Sequence, residues 1–170
     1  MSEYYIYQDQ QRCIGCHACE VHCKTENDVP VGPRLCRIIP VGPKSVGGQL
    51  KINFIFMPCF HCEKAWCMTA CPTGAIQRRE NDGIVFIEST LCVGCKSCIT
   101  ACPWGVPQWD ASTGKVRKCD YCRHRIDQGL KPACVTGCTT EALQWLSPEE
   151  ASRIKRERFA LEITERGARY

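Results

Sequence analysis

The sequence predicts an α+β fold in which small antiparallel sheets and short helices pack against cysteine-bearing loops instead of a conventional apolar core. Three observations lead there. Apolar residues make up 44% of the 170 positions, but 17 of them are cysteines, so only about a third of the chain is ordinary apolar material. That supply is thin for one domain. Sixteen of the cysteines fall into four groups of four. Short β-rich runs precede the groups, giving a recurring unit of strand, cysteine loop, short helix and strand.

The first β-rich run is residues 4–7, ahead of Cys13, Cys16, Cys19 and Cys23, spaced C-x2-C-x2-C-x3-C. The run 52–56 precedes Cys59, Cys62, Cys67 and Cys71, spaced C-x2-C-x4-C-x3-C and followed by Pro72. The run 84–87 precedes Cys92, Cys95, Cys98 and Cys102, which repeat the first spacing and are followed by Pro103. A weaker run near Val116 precedes Cys119, Cys122, Cys134 and Cys138, with eleven residues in the middle gap. A glutamine stands six residues after the last cysteine of three groups, at Gln77, Gln108 and Gln144. Asp82-Gly83 and Thr113-Gly114 are turn signals between strands. Ser147-Pro148-Glu149-Glu150 is a capping box with proline at the first helical position. It opens a helix to about residue 165, with Ile154, Phe159, Leu161 and Ile163 in loose register. Acidic and basic residues mixed along it predict a surface helix, not a membrane-binding one.

A chain this rich in cysteine is stapled by disulfides or by metal. Disulfide scaffolds belong to secreted chains, and Met1-Ser2-Glu3-Tyr4 opens no signal peptide. The odd count would also leave one thiol over. No run approaches the length of a membrane span. Metal is therefore the expectation. Three cysteines at intervals of three let a tight loop wrap one iron–sulfur cubane, each thiolate on a different iron. The fourth, one helical turn on, points away and ligates the other cluster of a pair, and the proline then ends the turn. Gly15 and Gly94, each just before the second cysteine, supply the backbone freedom such a loop needs. Zinc prefers two separated C-x2-C knuckles converging on one ion. The fourth group alone could pass for that, but the first and third crowd four ligands into eleven residues.

With these spacings in this order, and the segments Cys119-Asp120-Tyr121-Cys122 and Cys92-Val93-Gly94-Cys95-Lys96-Ser97-Cys98, the chain resembles the four-cluster ferredoxin-like electron-transfer subunits. These partner molybdenum or tungsten pterin enzymes such as formate dehydrogenase, dimethyl sulfoxide reductase and polysulfide reductase. The resemblance covers roughly residues 4–146. It implies four 4Fe–4S clusters, with the first group paired to the fourth and the second to the third. Crossed ligation then implies four sets: Cys13, Cys16, Cys19 with Cys138; Cys119, Cys122, Cys134 with Cys23; Cys59, Cys62, Cys67 with Cys102; and Cys92, Cys95, Cys98 with Cys71. Lys24 and Thr139 stand where the other two groups have proline, which leaves the exit from those turns open. The implied fold is tandem ferredoxin-like modules with pseudo-twofold symmetry. Residues 1–50 and 103–146 would form the first module, 51–102 the second, and 147–170 a C-terminal surface helix and tail.

The resemblance implies an electron-transfer subunit that is not catalytic alone. Its expected partners are a catalytic tungsten or molybdenum pterin oxidoreductase subunit and either a second redox subunit, such as a flavoprotein, or further copies of this chain. Lacking a leader or membrane helix, the sequence is similar to the compact cytoplasmic versions, including small subunits of tungsten aldehyde oxidoreductases, soluble formate dehydrogenases and hydrogenase-linked complexes. The loop at 29–36 points to a pterin-enzyme partner. A free polyferredoxin shuttle or hydrogenase-linked carrier is the alternative. Independent catalysis has no motif behind it: no C-x3-C-x2-C, P-loop, dinucleotide fingerprint or nucleophile elbow occurs. The formal net charge of +4 counts every cysteine as neutral. With four oxidised cubanes it becomes about −4, so no nucleic-acid partner is expected.

The remaining residues carry plainer expectations. Cys36 stands apart from the groups and reads as a buried small hydrophobe. His17, His22, His61 and His124 sit in or beside cysteine loops, on the surface or behind the ligands, since the thiolate sets are complete without them. Lys115, Arg117, Lys118, Arg123 and Arg125 form either a solvated face balancing anionic clusters or a device that raises a cluster's potential or docks a partner. Trp104, Trp109 and Trp145 read as cover that keeps water from the clusters.

Overall fold

The computed structural model describes residues 4–166. Strand β1 (Tyr5–Gln8) leads into the first cysteine group and helix α1 (Ala18–Glu26). A long hairpin follows, β2 (Arg37–Val46) and β3 (Gln49–Met57), its register shifting between Val41 and Lys44. The second group runs into α2 (Trp66–Thr69) and the hairpin β4 (Ile76–Arg78) and β5 (Val85–Ile87). The third runs into α3 (Ser97–Ala101) and the hairpin β6 (Gln108–Asp110) and β7 (Lys115–Arg117). The fourth holds α4 (Arg123–Ile126) in its long gap and α5 (Ala133–Thr136), before β8 (Leu143–Leu146), which pairs antiparallel with β1. Helix α6 (Pro148–Arg166) follows. The strands form two-stranded antiparallel sheets throughout the described residues, in keeping with the α+β expectation.

The four β-rich runs fall in β1, β3, β5 and β7, and the turn signals join β4 to β5 and β6 to β7. At the first of these turns the Asp82 carboxylate accepts from the Ile84 amide at 3.0 Å. Strand β2 has no such signal, because Pro40, Gly42 and Pro43 break the run. It forms nonetheless, since it pairs with β3 alone and its other edge asks no donor of those prolines.

Sheets this small bury little, so they are fastened to one another by side chains. The Gln8 amide donates to the Phe54 carbonyl at 2.7 Å and accepts from the Phe56 amide at 2.8 Å. That clamps the β1–β8 sheet onto β3. The buried interior mixes aliphatic residues with the cysteines themselves: Cys19, Cys23, Cys59, Cys119 and Cys134 pack with Leu35, Ile38, Phe56, Ile84 and Leu143. A second cluster gathers Cys98 with Ala65, Ile76, Val85 and Val116.

Helix α6 begins at the expected capping box, with the Glu150 amide donating to the Ser147 hydroxyl at 3.2 Å and the Ser147 amide to the Glu150 carboxylate at 2.8 Å. Ala151 is wholly buried, and Arg158 pairs with Asp9 at 2.6 Å, while Phe159 and Leu161 stay exposed. Among the described residues no helix is long and apolar enough to cross a membrane.

Candidate metal centres

The loops of the first and third groups repeat one backbone design. Gly15 (φ +68°) and Gly94 (φ +70°) precede the second cysteine, and His17 (φ 60°) and Lys96 (φ 66°) follow it, all left-handed. A β-carbon at Gly94 would lie 2.4 Å from the Gly114 carbonyl oxygen, so the position admits no side chain without moving backbone. The left-handed residue turns the chain into α1 or α3, whose first turns carry Cys19 or Cys98 inward. Cys23 and Cys102 follow one helical turn later.

Three cysteines of one group meet the fourth of another. One cavity is lined by Cys59, Cys62, Cys67 and Cys102. A second is lined by Cys71, Cys92, Cys95 and Cys98. Between the first and fourth groups, the Asn27 amide lies 3.9 Å from the Cys23 sulfur and 3.5 Å from the Cys122 sulfur. Cys134 is near enough to Cys119, Cys23 and Cys122 for their charges to oppose its ionisation. Cys19 likewise feels Cys138 and Cys16, and Cys13 packs half-buried against the same interior.

The electrostatics fit a cationic occupant. Burial pushes the Cys19 thiol up to about 12 and Cys98 to about 11, with neighbouring thiolates adding to the rise. Burial, then Cys59 and Cys23, drive Cys119 well above its ordinary value, and Cys134 rises in the same way. Thiols crowded in this way ionise when a metal of high positive charge arrives to bind them. Among the described residues no three Cys, His, Asp or Glu side chains converge as a single ion would require. Around each of the two cavities four cysteines are gathered, which suits a group larger than one ion. Sulfur-directed donors are present too: the His61 amide lies 3.4 Å from the Cys59 sulfur and the Leu143 amide 3.4 Å from that of Cys138.

Solvent reaches the sets unequally. Cys16 and Cys95 are exposed, whereas Cys23, Cys119, Cys122 and Cys134 are all buried. Cys36 is buried as expected, and it does more than fill space. Its thiol donates to the Cys19 carbonyl at 3.8 Å, and its interaction with Cys23 holds the Cys23 pKa down while raising its own.

Other expectations are redrawn by tertiary contacts. His17, His22 and His124 are exposed, but His61 is 3% exposed, its Nδ1 accepting from the Val85 amide at 2.9 Å. The basic stretch is not one solvated face. Arg117, Arg123 and Arg125 pair with Asp110, Asp120 and Glu26, whereas Lys118 is buried and donates to the carbonyls of Val85 and Cys119. No carboxylate partner for Lys118 occurs among the described residues, so a buried cation stands beside the cysteine sets. Trp104 is 53% exposed, edge-on to Phe60 at 5.3 Å, because the residues after Cys102 turn outward; Trp109 and Trp145 are half-buried. Glu20, which the spacing gave no reason to single out, is buried and accepts from the Ile38 amide at 2.6 Å and Arg34 at 2.9 Å, tying α1 to β2.

The sequence is similar to known proteins. The family described as 4Fe-4S dicluster domain matches residues 50–147. The sequence is 41% identical over 157 residues to the thiosulfate reductase electron transfer subunit PhsB of Salmonella typhi, covering 91% of this protein and 81% of that one. It is 40% identical over 143 residues to the B polypeptide of polysulfide reductase from Wolinella succinogenes, covering 83% and 74%. With the B polypeptide of anaerobic dimethyl sulfoxide reductase from Escherichia coli K12 the identity is 34% over 155 residues, covering 85% and 73%.

Proposed function

This polypeptide belongs to the 4Fe-4S dicluster family, and from that premise we propose that it is the electron-transfer subunit of a reductase complex, carrying four 4Fe–4S clusters and performing no catalysis alone. The observation that carries the proposal is the pair of cavities, each lined by three cysteines of one group and the fourth of another. The ligand sets are those of crossed ligation: Cys59, Cys62, Cys67 and Cys102; Cys92, Cys95, Cys98 and Cys71; Cys13, Cys16, Cys19 and Cys138; Cys119, Cys122, Cys134 and Cys23. When bound, the clusters supply one-electron transfer, which divides a partner's two-electron chemistry into single steps. The protein's own residues hold the thiolates in place, point amides at sulfur, and keep the set around Cys119 and Cys134 from solvent.

The two-module division, with the first and fourth groups in one pseudo-twofold module and the second and third in the other, belongs to this proposal. The β1–β8 pairing across the first and fourth groups supports it. The catalytic partner is a molybdenum or tungsten pterin reductase. The names of the relatives favour one acting on thiosulfate, polysulfide or dimethyl sulfoxide over the tungsten aldehyde oxidoreductase or formate dehydrogenase expected from the sequence. The exposed Cys16 and Cys95 belong to different sets, which supports two docking faces, one for that enzyme and one for a second redox unit or another copy. A cytoplasmic location completes the reading, and fractionation of native cells tests it.

Iron and acid-labile sulfide on anaerobically purified protein should agree at about sixteen each per polypeptide. Native co-purification with metal analysis should recover a molybdenum- or tungsten-containing partner. Zinc without sulfide, or a protein that binds no oxidoreductase, would refute the proposal.

A further inference from the structure

We propose that His61 donates a hydrogen bond from Nε2 to a sulfur of the cluster ringed by Cys59, Cys62, Cys67 and Cys102, and thereby holds that cluster's reduction potential above the value the thiolates alone would set. The inference rests on the ligand sets assigned above and deepens them.

The proton on this ring can be located from its partner. The Val85 amide donates to Nδ1 at 2.9 Å. An imidazolium has no free lone pair to accept with, so the ring is neutral and its one proton sits on Nε2. Tyr121 lies over the ring with centroids 3.8 Å apart, and Lys118 donates to the carbonyl of the same Val85 whose amide holds Nδ1. The ring is fixed from two sides.

Nε2 is buried and has no hydrogen-bond partner in the protein. An unpartnered buried donor is costly, and native structures rarely keep one without a reason. His61 lines the cavity of Cys59, Cys62, Cys67 and Cys102 together with those cysteines. The other side chains lining it are apolar or, for Trp66 and Trp104, bear only a donor. Among the described residues no backbone or side-chain acceptor lies within hydrogen-bond reach of Nε2, so the acceptor left to it is a sulfur of the bound cluster. A hydrogen bond to a cluster sulfur strengthens as the cluster gains negative charge, so it favours the reduced state. No proton is transferred: one electron enters from the reductant, and the N–H stays on His61.

The test is a poised redox titration of the anaerobic holoprotein, followed by electron paramagnetic resonance, for wild type, His61→Asn and His61→Gln. Asparagine keeps an oxygen near the Nδ1 position for the Val85 amide but loses the Nε2 donor, while glutamine places an amide nitrogen near Nε2. In His61→Asn the reduced-to-oxidised ratio of one cluster at fixed potential should fall about tenfold, the size of one hydrogen bond to a charged acceptor. For a one-electron couple that is 59 mV. His61→Gln should recover most of the shift. A role confined to packing would leave His61→Asn titrating as wild type, which would overturn the proposal. An independent reading needs no variant: wild-type protein labelled with 15N-histidine should show a nitrogen hyperfine coupling to a reduced cluster, and its absence would overturn the proposal even if the variants fail to load. Iron and sulfide content tells the two layers apart. A shortfall in wild type refutes the ligand sets, whereas full loading with no coupling refutes the role of His61 alone.

Discussion

Replacing Cys71 by serine separates crossed ligation from ligation within each group. Cys71 follows Cys59, Cys62 and Cys67 in sequence, yet it lines a cavity with Cys92, Cys95 and Cys98, while Cys102 lines the cavity of the second group. Cys71→Ser should therefore release Cys92, Cys95 and Cys98 and leave Cys59, Cys62, Cys67 and Cys102 protected. Iron should fall by about four of about sixteen per polypeptide. The order in which the released thiols react follows from their surroundings. Cys95 is exposed, and the Ser97 hydroxyl 3.5 Å away holds its thiol below the ordinary value. Burial pushes Cys98 up to about 11. At pH 8 roughly one Cys98 thiol in a thousand is then thiolate, whereas the lowered Cys95 thiol ionises far more readily, so Cys98 should alkylate much more slowly. Anaerobic iodoacetamide labelling with peptide mapping measures protection and rate together. Labelling of Cys59, Cys62 and Cys67, with Cys92, Cys95 and Cys98 still protected, would refute the crossed sets.

Three further outcomes are expected. Gly94→Ala should shed iron faster than wild type, because its β-carbon would press on the Gly114 carbonyl at 2.4 Å in addition to the left-handed penalty of about 1–2 kcal/mol; Gly74→Ala, with φ +65° and open space around it, should show that penalty alone. Equal iron-loss rates for the two variants would deny the close approach. Glu20→Ala leaves the buried Ile38 amide unpaired and should cost about 1–3 kcal/mol in an anaerobic denaturant titration, while Glu20→Gln, which keeps an oxygen for that amide, should cost less. Chelating the iron under reducing conditions should remove secondary structure along with colour, since two-stranded sheets and a cysteine-filled interior offer little burial against chain entropy. A cooperative thermal transition in the iron-free protein would contradict that last expectation.

What was legible in the sequence was local. Cysteines three and four residues apart define a loop and the helical turn after it, so both the ligand-bearing loops and the strands leading into them could be read from spacing and β-propensity. The capping box at Ser147 was equally plain, because its two hydrogen bonds span only three residues. Strand β2 was hidden, since its prolines and glycine argue against a strand until β3 lies beside it. His61 and Lys118 could not be told from their neighbours either. Nothing in the segment 59–62 says that the amide of Val85, 24 residues on, will occupy Nδ1 and leave the proton on Nε2. Nothing around residue 118 separates the buried lysine from three arginines that find carboxylate partners. The sequence by itself determined the number of thiolates and the kind of group they suit, because ligand type and spacing are properties of a few consecutive residues. Which cysteine of one group meets three of another, and which buried donor or cation stands beside them, was decided by tertiary structure. Burial and hydrogen-bond partners are set by segments dozens of residues apart, and those same contacts control how readily each site accepts an electron.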